Sequence, residues 1–203
     1  MLLALVAVIA LQLAIPEHYT AVPRLPIFAL EALLILVILL VNPLSVHRWT
    51  PLGSWAMRLL IAAIIIDNTG AAVILDLRII TGQMSDNAAV LLSSGAAIYL
   101  TNVIAFGFYF WALDGGGPAR RGNGTNRLPA FLFPQFTAPA QAPPGWRPLL
   151  ADYLYIGLTN SIAFSPTDAM PLTRWAKAGM AVQSLVATTT IALVFARAVS
   201  LLH

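Results

Sequence analysis

Cysteine is absent from this chain of 203 residues, and charge is scarce, because only 9% of the residues are Asp, Glu, Lys or Arg. The absence of cysteine excludes disulfides, thiolate metal sites and cysteine catalysis. The three histidines, His18, His47 and His203, lie far apart in the sequence, and no HExxH, GxSxG, Walker or GxGxxG pattern occurs. We therefore expect no enzymatic activity, no catalytic residues, no metal site and no cofactor.

Apolar residues take the place of the missing charge. The chain is 59% hydrophobic with a mean hydropathy of +0.82, whereas a soluble domain carries about 25% charged residues. The eleven basic residues are dispersed and form no stripe that would indicate a nucleic-acid partner. The composition predicts an integral membrane protein whose partner is the lipid bilayer. We expect a multi-pass protein of the cell membrane, specifically the bacterial inner membrane.

Five segments are long and apolar enough, or nearly so, to span a bilayer. They are Met1–Ile15, Ile27–Val41, Ser54–Ile80, Asn87–Leu113 and Leu172–Leu202. The first is slightly short and is alternatively a signal peptide cleaved near Ala21, but it lacks the positively charged start of such peptides. The pattern predicts an all-α polytopic membrane protein with about five transmembrane helices.

A sixth apolar segment, Leu149–Ala163, is too short to cross a bilayer. One interpretation is an amphipathic helix on the membrane surface, with Tyr153 and Tyr155 at the headgroup level. The other is a re-entrant pore helix, which enters the membrane and returns to the same side. The local pattern does not decide between them. The preceding stretch 115–148 is rich in Pro, Gly and Ala, and its aromatic residues predict an ordered cap.

Charged residues within the predicted helices are few, and we single out Glu31, Arg58 and Asp67. Ionisable side chains at membrane depth are costly and usually paired. We expect Arg58 to pair with Glu31 or Asp67 and so to fix the packing of two helices.

The sequence TNSIAFSPTDAMPLTRWAK, residues 159–177, resembles the pore signature of tetrameric potassium channels, T-x-x-T-V-G-Y-G-D followed by x-x-P-x-T-x-W-G-R. Aligned without gaps, the matching positions are Asp168, Pro171, Thr173, Trp175 and Lys177. The resemblance implies a homotetramer with three N-terminal membrane helices in residues 1–86 and a pore domain in residues 87–203. Its parts would be an outer helix 87–113, a turret loop 114–148, a pore helix 149–163, a filter-like turn 164–168 and an inner helix 171–202.

The filter-like turn departs from the potassium-channel pattern. The chain has Ala163-Phe164-Ser165-Pro166-Thr167 where the family has Thr-Val-Gly-Tyr-Gly. Potassium filters stack backbone carbonyls around the ion, and their glycines adopt conformations that other residues reach only at a cost. Pro166 also lacks an amide donor and restricts the backbone of Ser165. Strict potassium selectivity is therefore not expected.

In a fourfold assembly the turn would present rings of Ser165 and Thr167 hydroxyls and a ring of Asp168 carboxylates. Acidic rings favour cations, so permeant monovalent cations are the expected ligands. The alternative for Asp168 is a structural role, as a cap of the following helix or as a hydrogen-bond partner of Tyr155. The sequence leaves both roles open.

The resemblance also implies which residues surround the turn. Tyr155, Thr159 and Trp175 would support it, and the inner helix would line a central cavity with Thr188, Ile191 and Phe195. The expected function is a potassium-channel-like ion channel with an altered filter, conducting monovalent cations with weak or changed selectivity. The alternative is a non-conducting membrane scaffold or accessory subunit that retains the pore fold.

Overall fold

The computed structural model describes residues 1–20, 23–41, 50–83, 87–118, 121, 128–163 and 169–201. Its long helices are α1 (Leu2–Ala14), α2 (Arg24–Val41), α3 (Pro51–Ile80), α4 (Ala88–Leu113), α5 (Leu150–Ala163) and α6 (Arg174–Leu201). Single helical turns occur at Glu17–Tyr19, Asp114–Gly116, Pro134–Thr137 and Pro139–Gln141. Two short strands, β1 (Phe131–Leu132) and β2 (Met170–Pro171), pair antiparallel.

Four of these helices, α2, α3, α4 and α6, are long and apolar enough to cross a membrane. Helix α1 is apolar but has only 13 residues. At 1.5 Å per residue it is about 20 Å long, shorter than a hydrocarbon core of about 30 Å. The chain is thus mostly helical, as the sequence predicted, with a short apolar helix where a fifth span was expected.

Side chains at the helix starts explain where several of these elements begin. The Thr50 hydroxyl accepts a hydrogen bond from the Gly53 amide at 3.1 Å and caps α3, whose first residue is a proline. The Asn87 side chain caps α4 by accepting from the amides of Ala89 and Val90. At the start of α5, the Asp152 carboxylate accepts from the Leu149 amide at 2.6 Å. These local bonds satisfy amides that have no partner within the helix.

Helix α4 is the centre of the bundle and packs against α1, α3, α5 and α6. Helix α3 also contacts α6, and α2 packs against α3. The largest buried cluster includes side chains from every long helix, among them Leu5, Leu34, Leu60, Phe108, Ile156 and Met180. The N-terminal helices and the predicted pore segments therefore share one core.

Helix α6, at the position of the predicted inner helix, begins later than the sequence predicted. The expectation was a helix from residue 171, with Pro171 in its first turn. Instead Pro171 lies in β2 opposite Phe131, and the helix starts at Arg174. The Thr173 hydroxyl accepts from the Ala176 amide at 3.4 Å and marks this later start. The prediction was wrong because pairing with β1, some forty residues earlier in the chain, holds residues 170–171 in an extended conformation.

Candidate functional site

The half-length helix α5 stands beside α6 and runs in the same direction. Along α4 and α6 the contacts run in opposite order: Gly95 with Val194, Asn102 with Gln183, and Tyr109 with Trp175. Along α4 and α5 they also run in opposite order: Val103 with Gly157, Gly107 with Leu154, and Asp114 with Tyr153. Because α4 is antiparallel to both helices, α5 and α6 are parallel to each other.

This direction has a topological consequence. Both α5 and α6 begin at the end of the bundle where β1 and β2 pair, since Phe131 of β1 contacts Tyr153 of α5 and Trp175 of α6. Helix α5 has 14 residues and is about 21 Å long, whereas α4 has 26 and is about 39 Å long. Helix α5 therefore ends at Ala163, about half the length of α4 away from this end of the bundle, and Ala169 lies at this same end, next to β2.

A buried polar network joins α5 to α6. The Gln183 side chain is fully buried, and its Nε2 donates to the carbonyl of Gly157 at 2.7 Å and to Ser161 Oγ at 3.0 Å. Its Oε1 accepts from Asn160 Nδ2 at 2.9 Å. The hydroxyl of Ser184 donates to the carbonyl of Asn160 at 3.1 Å. Every hydrogen-bonding atom of the Gln183 amide therefore has a partner on α5.

The network also reaches α4 and the backbone of α6. Asn160 Nδ2 donates to the carbonyl of Met180 at 2.9 Å, and Asn102 Nδ2 donates to the carbonyl of Gln183 at 3.0 Å. These bonds connect α4, α5 and α6 through side chains that are almost wholly buried. Interhelical bonds of this kind stabilise helix pairs where water is scarce.

Helices α4 and α5 pack with their backbones in close contact at two glycines. A Cβ at Gly157 would lie 2.7 Å from the carbonyl oxygen of Val103 and 3.4 Å from Gln183 Nε2. A Cβ at Gly107 would lie 3.0 Å from the Cα of Leu154. Glycine at both positions lets the two helices approach more closely than any other residue would allow.

Residues 128–148 form an ordered cap, as the aromatic residues of this stretch predicted. The cap lies over the C-terminal end of α4 and the N-terminal ends of α5 and α6. Phe131 and Phe133 are buried, and their rings contact Tyr153 at centroid distances of 6.3 and 5.4 Å. Phe131 also contacts Phe110 at 5.1 Å, and Trp146 contacts Phe133 at 5.6 Å. The edge-to-face and tilted geometries are those that aromatic pairs prefer.

Asp114 anchors this cap, a role that the sequence did not reveal. It is 2% exposed, and its Oδ1 accepts from the amides of Ala130 and Phe131 at the start of β1. Its Oδ2 accepts from the Tyr153 hydroxyl and lies 3.9 Å from the Arg121 guanidinium. In the sequence Asp114 simply precedes three consecutive glycines, residues 115–117. No local signal connects it to Tyr153, which lies 39 residues away.

The environment of Tyr153 keeps its hydroxyl protonated. Burial raises the pKa of Tyr153 far above its usual value of about 10. The Arg121 charge acts in the opposite direction, and the Asp114 carboxylate raises the pKa further. The hydroxyl therefore remains a hydrogen-bond donor to Asp114 throughout the physiological pH range.

We expect Tyr153→Phe to destabilise the protein by about 1–2 kcal/mol, because it leaves one oxygen of a buried carboxylate without its donor. The midpoint of thermal denaturation in detergent, followed by tryptophan fluorescence, measures the loss. Tyr155→Phe is the matched control, since Tyr155 lies on the same helix and is 47% exposed. Equal midpoints for the two variants would show that the Asp114–Tyr153 bond contributes nothing.

The predicted filter lies largely outside the described residues. Ala163 is the last residue of α5, and residues 164–168, which include Phe164, Ser165, Pro166, Thr167 and Asp168, are not among those that the structure describes. The hydroxyl rings and the acidic ring therefore stay predictions. The structure does place the two ends of this segment, at Ala163 in the middle of the bundle and at Ala169 beside β2.

The predicted support residues lie at different places. Tyr155 is on the exposed side of α5, and the Thr159 hydroxyl donates to the carbonyls of Tyr155 and Ile156 within the same helix. Trp175 is half-buried and faces the outer helix and the cap through Tyr109 and Phe131. Of the three, Trp175 thus contacts the cap, while Tyr155 and Thr159 lie along α5.

The predicted cavity residues share one side of α6. Thr188 and Phe195 are exposed and Ile191 is half-buried, and the Thr188 hydroxyl bonds to the carbonyl of Ser184 one turn earlier. This side of α6 faces away from α4 in the single chain. It is available either to lipid or to other subunits.

The acidic side chains of the N-terminal helices are arranged differently from the prediction. Gln12 Nε2 donates to Glu31 Oε1 at 3.1 Å and to Asp67 Oδ2 at 3.3 Å, so that a glutamine of α1 bridges the carboxylates of α2 and α3. The predicted pairing of Arg58 with Glu31 or Asp67 is wrong. The Arg58 guanidinium instead lies over the Trp55 ring, 5.3 Å from its centroid.

Within the described ranges, no group of three or more His, Asp or Glu side chains is placed to hold a metal ion. The site therefore consists of a half-length helix, its buried polar network and an aromatic cap. No protein family, curated protein or solved structure matches this chain significantly.

Proposed function

We propose that this chain forms a homotetrameric, potassium-channel-like pore that conducts monovalent cations with weak or changed selectivity, in the bacterial inner membrane. One observation carries the proposal: α5 descends about half the length of α4, parallel to α6, and the chain then returns to the end from which it came. Backbone that leaves a helix at membrane depth is tolerated only where protein covers it or where it lines a water-filled path. Residues 164–168, which join Ala163 to Ala169, are the ones that resemble a filter.

The exposed faces of α5 and α6 support assembly into an oligomer. Along α6 the exposed apolar side chains recur at helical spacing, at Val182, Leu185, Phe195 and Val199. Helix α5 exposes Tyr155, Leu158 and Ile162 in the same way. Four copies arranged around these faces would enclose the returning segment and place Thr188 and Phe195 towards the central axis.

The second candidate is the non-conducting scaffold or accessory subunit, and the polar network favours it. Asn160, Ser161 and Gln183 are buried polar side chains of α5 and α6, and they bond to one another and to backbone within the chain. Their polar atoms are thus used for packing rather than presented to a passing ion. A pore helix fixed in this way supports a closed fold as well as an open one.

Ion flux through proteoliposomes tests the choice. We expect the purified wild-type protein to pass potassium and sodium at comparable rates and to prefer either cation over chloride. Asp168→Asn should lower the preference for cations, because a ring of four carboxylates would lose its charge. Glu17→Gln is the matched control, since it removes one exposed carboxylate from the connection between α1 and α2.

Chemical cross-linking of the same samples separates the two candidates. Flux that falls with Asp168→Asn but not with Glu17→Gln supports conduction through the returning segment. Tetramers without cation flux in the wild-type protein would contradict the channel and favour the scaffold. Flux that is the same in both variants would show that ions do not pass Asp168.

A further inference from the structure

An apolar groove lies between α3 and α4, near the end of the bundle that carries the cap. Its volume is about 260 Å³, and its walls are almost wholly carbon, from Ile61, Ala62, Ile65, Tyr109 and Leu113. The one charged side chain that lines it is Arg58. The groove opens outwards, because Ala62 and the adjoining Ile66 are exposed. It is thus a surface feature of two helices that are long and apolar enough to cross a membrane.

The Arg58 guanidinium has no carboxylate within 4.0 Å in the part of the chain that the structure describes. The guanidinium lies over the Trp55 ring, and the Arg58 side chain remains partly exposed. On its other side is a small cleft of about 20 Å³ lined by Ser54, Gly116 and Gly117, room for about one water-sized group. A positive charge thus stands between a large apolar groove and a small cleft.

The position of Arg58 along the helix matches the headgroup region of a bilayer. It lies seven residues after Pro51, the first residue of α3, or about 10 Å along the axis. Trp55, one turn earlier, is 61% exposed, and exposed tryptophans concentrate at membrane interfaces. Arginine near a helix end extends its charge towards the headgroups. The groove runs from this level towards the middle of the membrane.

We propose that this groove binds one anionic phospholipid, with an acyl chain along the α3–α4 groove and the phosphate on the Arg58 guanidinium. The apolar groove accounts for the acyl chain of this ligand, and the charge of Arg58 accounts for its phosphate. A free phosphate would leave the apolar walls empty. A guanidinium favours a headgroup with net negative charge over a zwitterionic one, in which an ammonium group offsets the charge of the phosphate. The occupant is thus a lipid from the surrounding bilayer, and the site is independent of whether the chain conducts ions.

Native mass spectrometry of the full chain in detergent tests the proposal. The protein is titrated with phosphatidylglycerol or with phosphatidylcholine of identical acyl chains. One cation near the headgroup corresponds to about a five-fold preference for the anionic lipid. Arg58→Gln should remove this preference, and Arg58→Lys should keep most of it. Ala62→Phe should weaken the binding of both lipids, because the new ring fills the groove from its open side.

Arg174→Gln is the matched control, because Arg174 is an exposed cation at the same end of the bundle, on α6. It should leave the five-fold preference unchanged. An unchanged preference in Arg58→Gln, or an equal loss in Arg174→Gln, would overturn the site. Displacement of the lipid by inorganic phosphate at the same concentration would also overturn it, since the groove would then play no part. Failure of the ion-flux experiment would leave these results unaffected.

Discussion

Replacing Gly157 with valine is expected to detach α5 from the bundle and to cost about 3 kcal/mol or more. A Cβ at this position would lie 2.7 Å from the carbonyl oxygen of Val103, which is backbone of the central helix and cannot rotate away. Overpacking of a tight interface costs about 1–3 kcal/mol, and more when the obstructing atom is fixed. Because Gly157 also supplies the carbonyl that Gln183 bonds, a shift of α5 breaks that bond as well.

Two measurements check this expectation. The midpoint of thermal denaturation in detergent should fall by roughly 6–12 °C, from about 2–4 °C per kcal/mol for a chain of this size. The chain has no cysteine of its own, so Ile156→Cys, at a position that is 1% exposed, provides a single thiol as a probe of α5. A maleimide should label this thiol slowly in the wild-type background and rapidly when Gly157→Val is added.

Gly95→Ala and Gly157→Ala form the control pair. The nearest atoms to a Cβ at Gly95 belong to the side chain of Val194, at 2.9 Å, which can adjust by a rotation or a small shift. The same substitution at Gly157 meets backbone. A smaller loss of stability is therefore expected at Gly95 than at Gly157, and equal losses would contradict the role of the Gly157–Val103 approach.

Gln183→Leu is the second substitution with a large expected effect. It removes the hydrogen bonds to the Gly157 carbonyl, to Ser161 and to Asn160 in a single step, while it keeps the approximate volume of the side chain. Interhelical hydrogen bonds in membrane proteins contribute about 0.6 kcal/mol each and up to about 1.7. The loss of three therefore predicts a destabilisation of about 2–5 kcal/mol.

The same denaturation assay measures this loss, and a pair of further variants assigns it to the network. Ser184→Ala removes one bond, to the Asn160 carbonyl, and should cost about 0.6–1.7 kcal/mol. Combining Gln183→Leu with Asn160→Leu should cost less than the sum of the single changes, because both remove the same bond. Thr188→Val is the control, since its exposed hydroxyl bonds only within α6. A Gln183→Leu midpoint equal to that of Thr188→Val would refute the network.

Local sequence signals indicated where the long helices lie. The outer helix was predicted at residues 87–113 and is observed at Ala88–Leu113, and the half-length helix was predicted at 149–163 and is observed at Leu150–Ala163. Both lie next to clusters of Pro and Gly, which end apolar runs without regard to the rest of the fold. Apolar length likewise identified the four candidate spans.

Contacts between distant parts of the chain were not predictable in this way. Gln183 and Ser184 are polar residues within a largely apolar stretch, and nothing near them in the sequence identifies their partners, which lie more than twenty residues earlier on α5. Arg58 was expected to pair with a carboxylate because such pairs are common. Both candidate carboxylates, Glu31 and Asp67, instead accept hydrogen bonds from Gln12. Pro171 was predicted to lie in the first turn of a helix because the fixed φ of proline suits that position. Proline is also tolerated in an edge strand, which is where Pro171 lies. Each error arose where tertiary pairing overruled a local preference.

The parallel direction of α5 and α6 has an electrostatic consequence. Helix dipoles that point the same way repel, and α4, which lies antiparallel to both, offsets that repulsion. The C-terminal end of α5 carries a partial negative charge of about half a unit. It lies at Ala163, about halfway along α4. Helix α6 has no acidic side chain and α5 has one only in its first turn. The end of α5 therefore contributes a field of its own at that depth, and this contribution favours a cation.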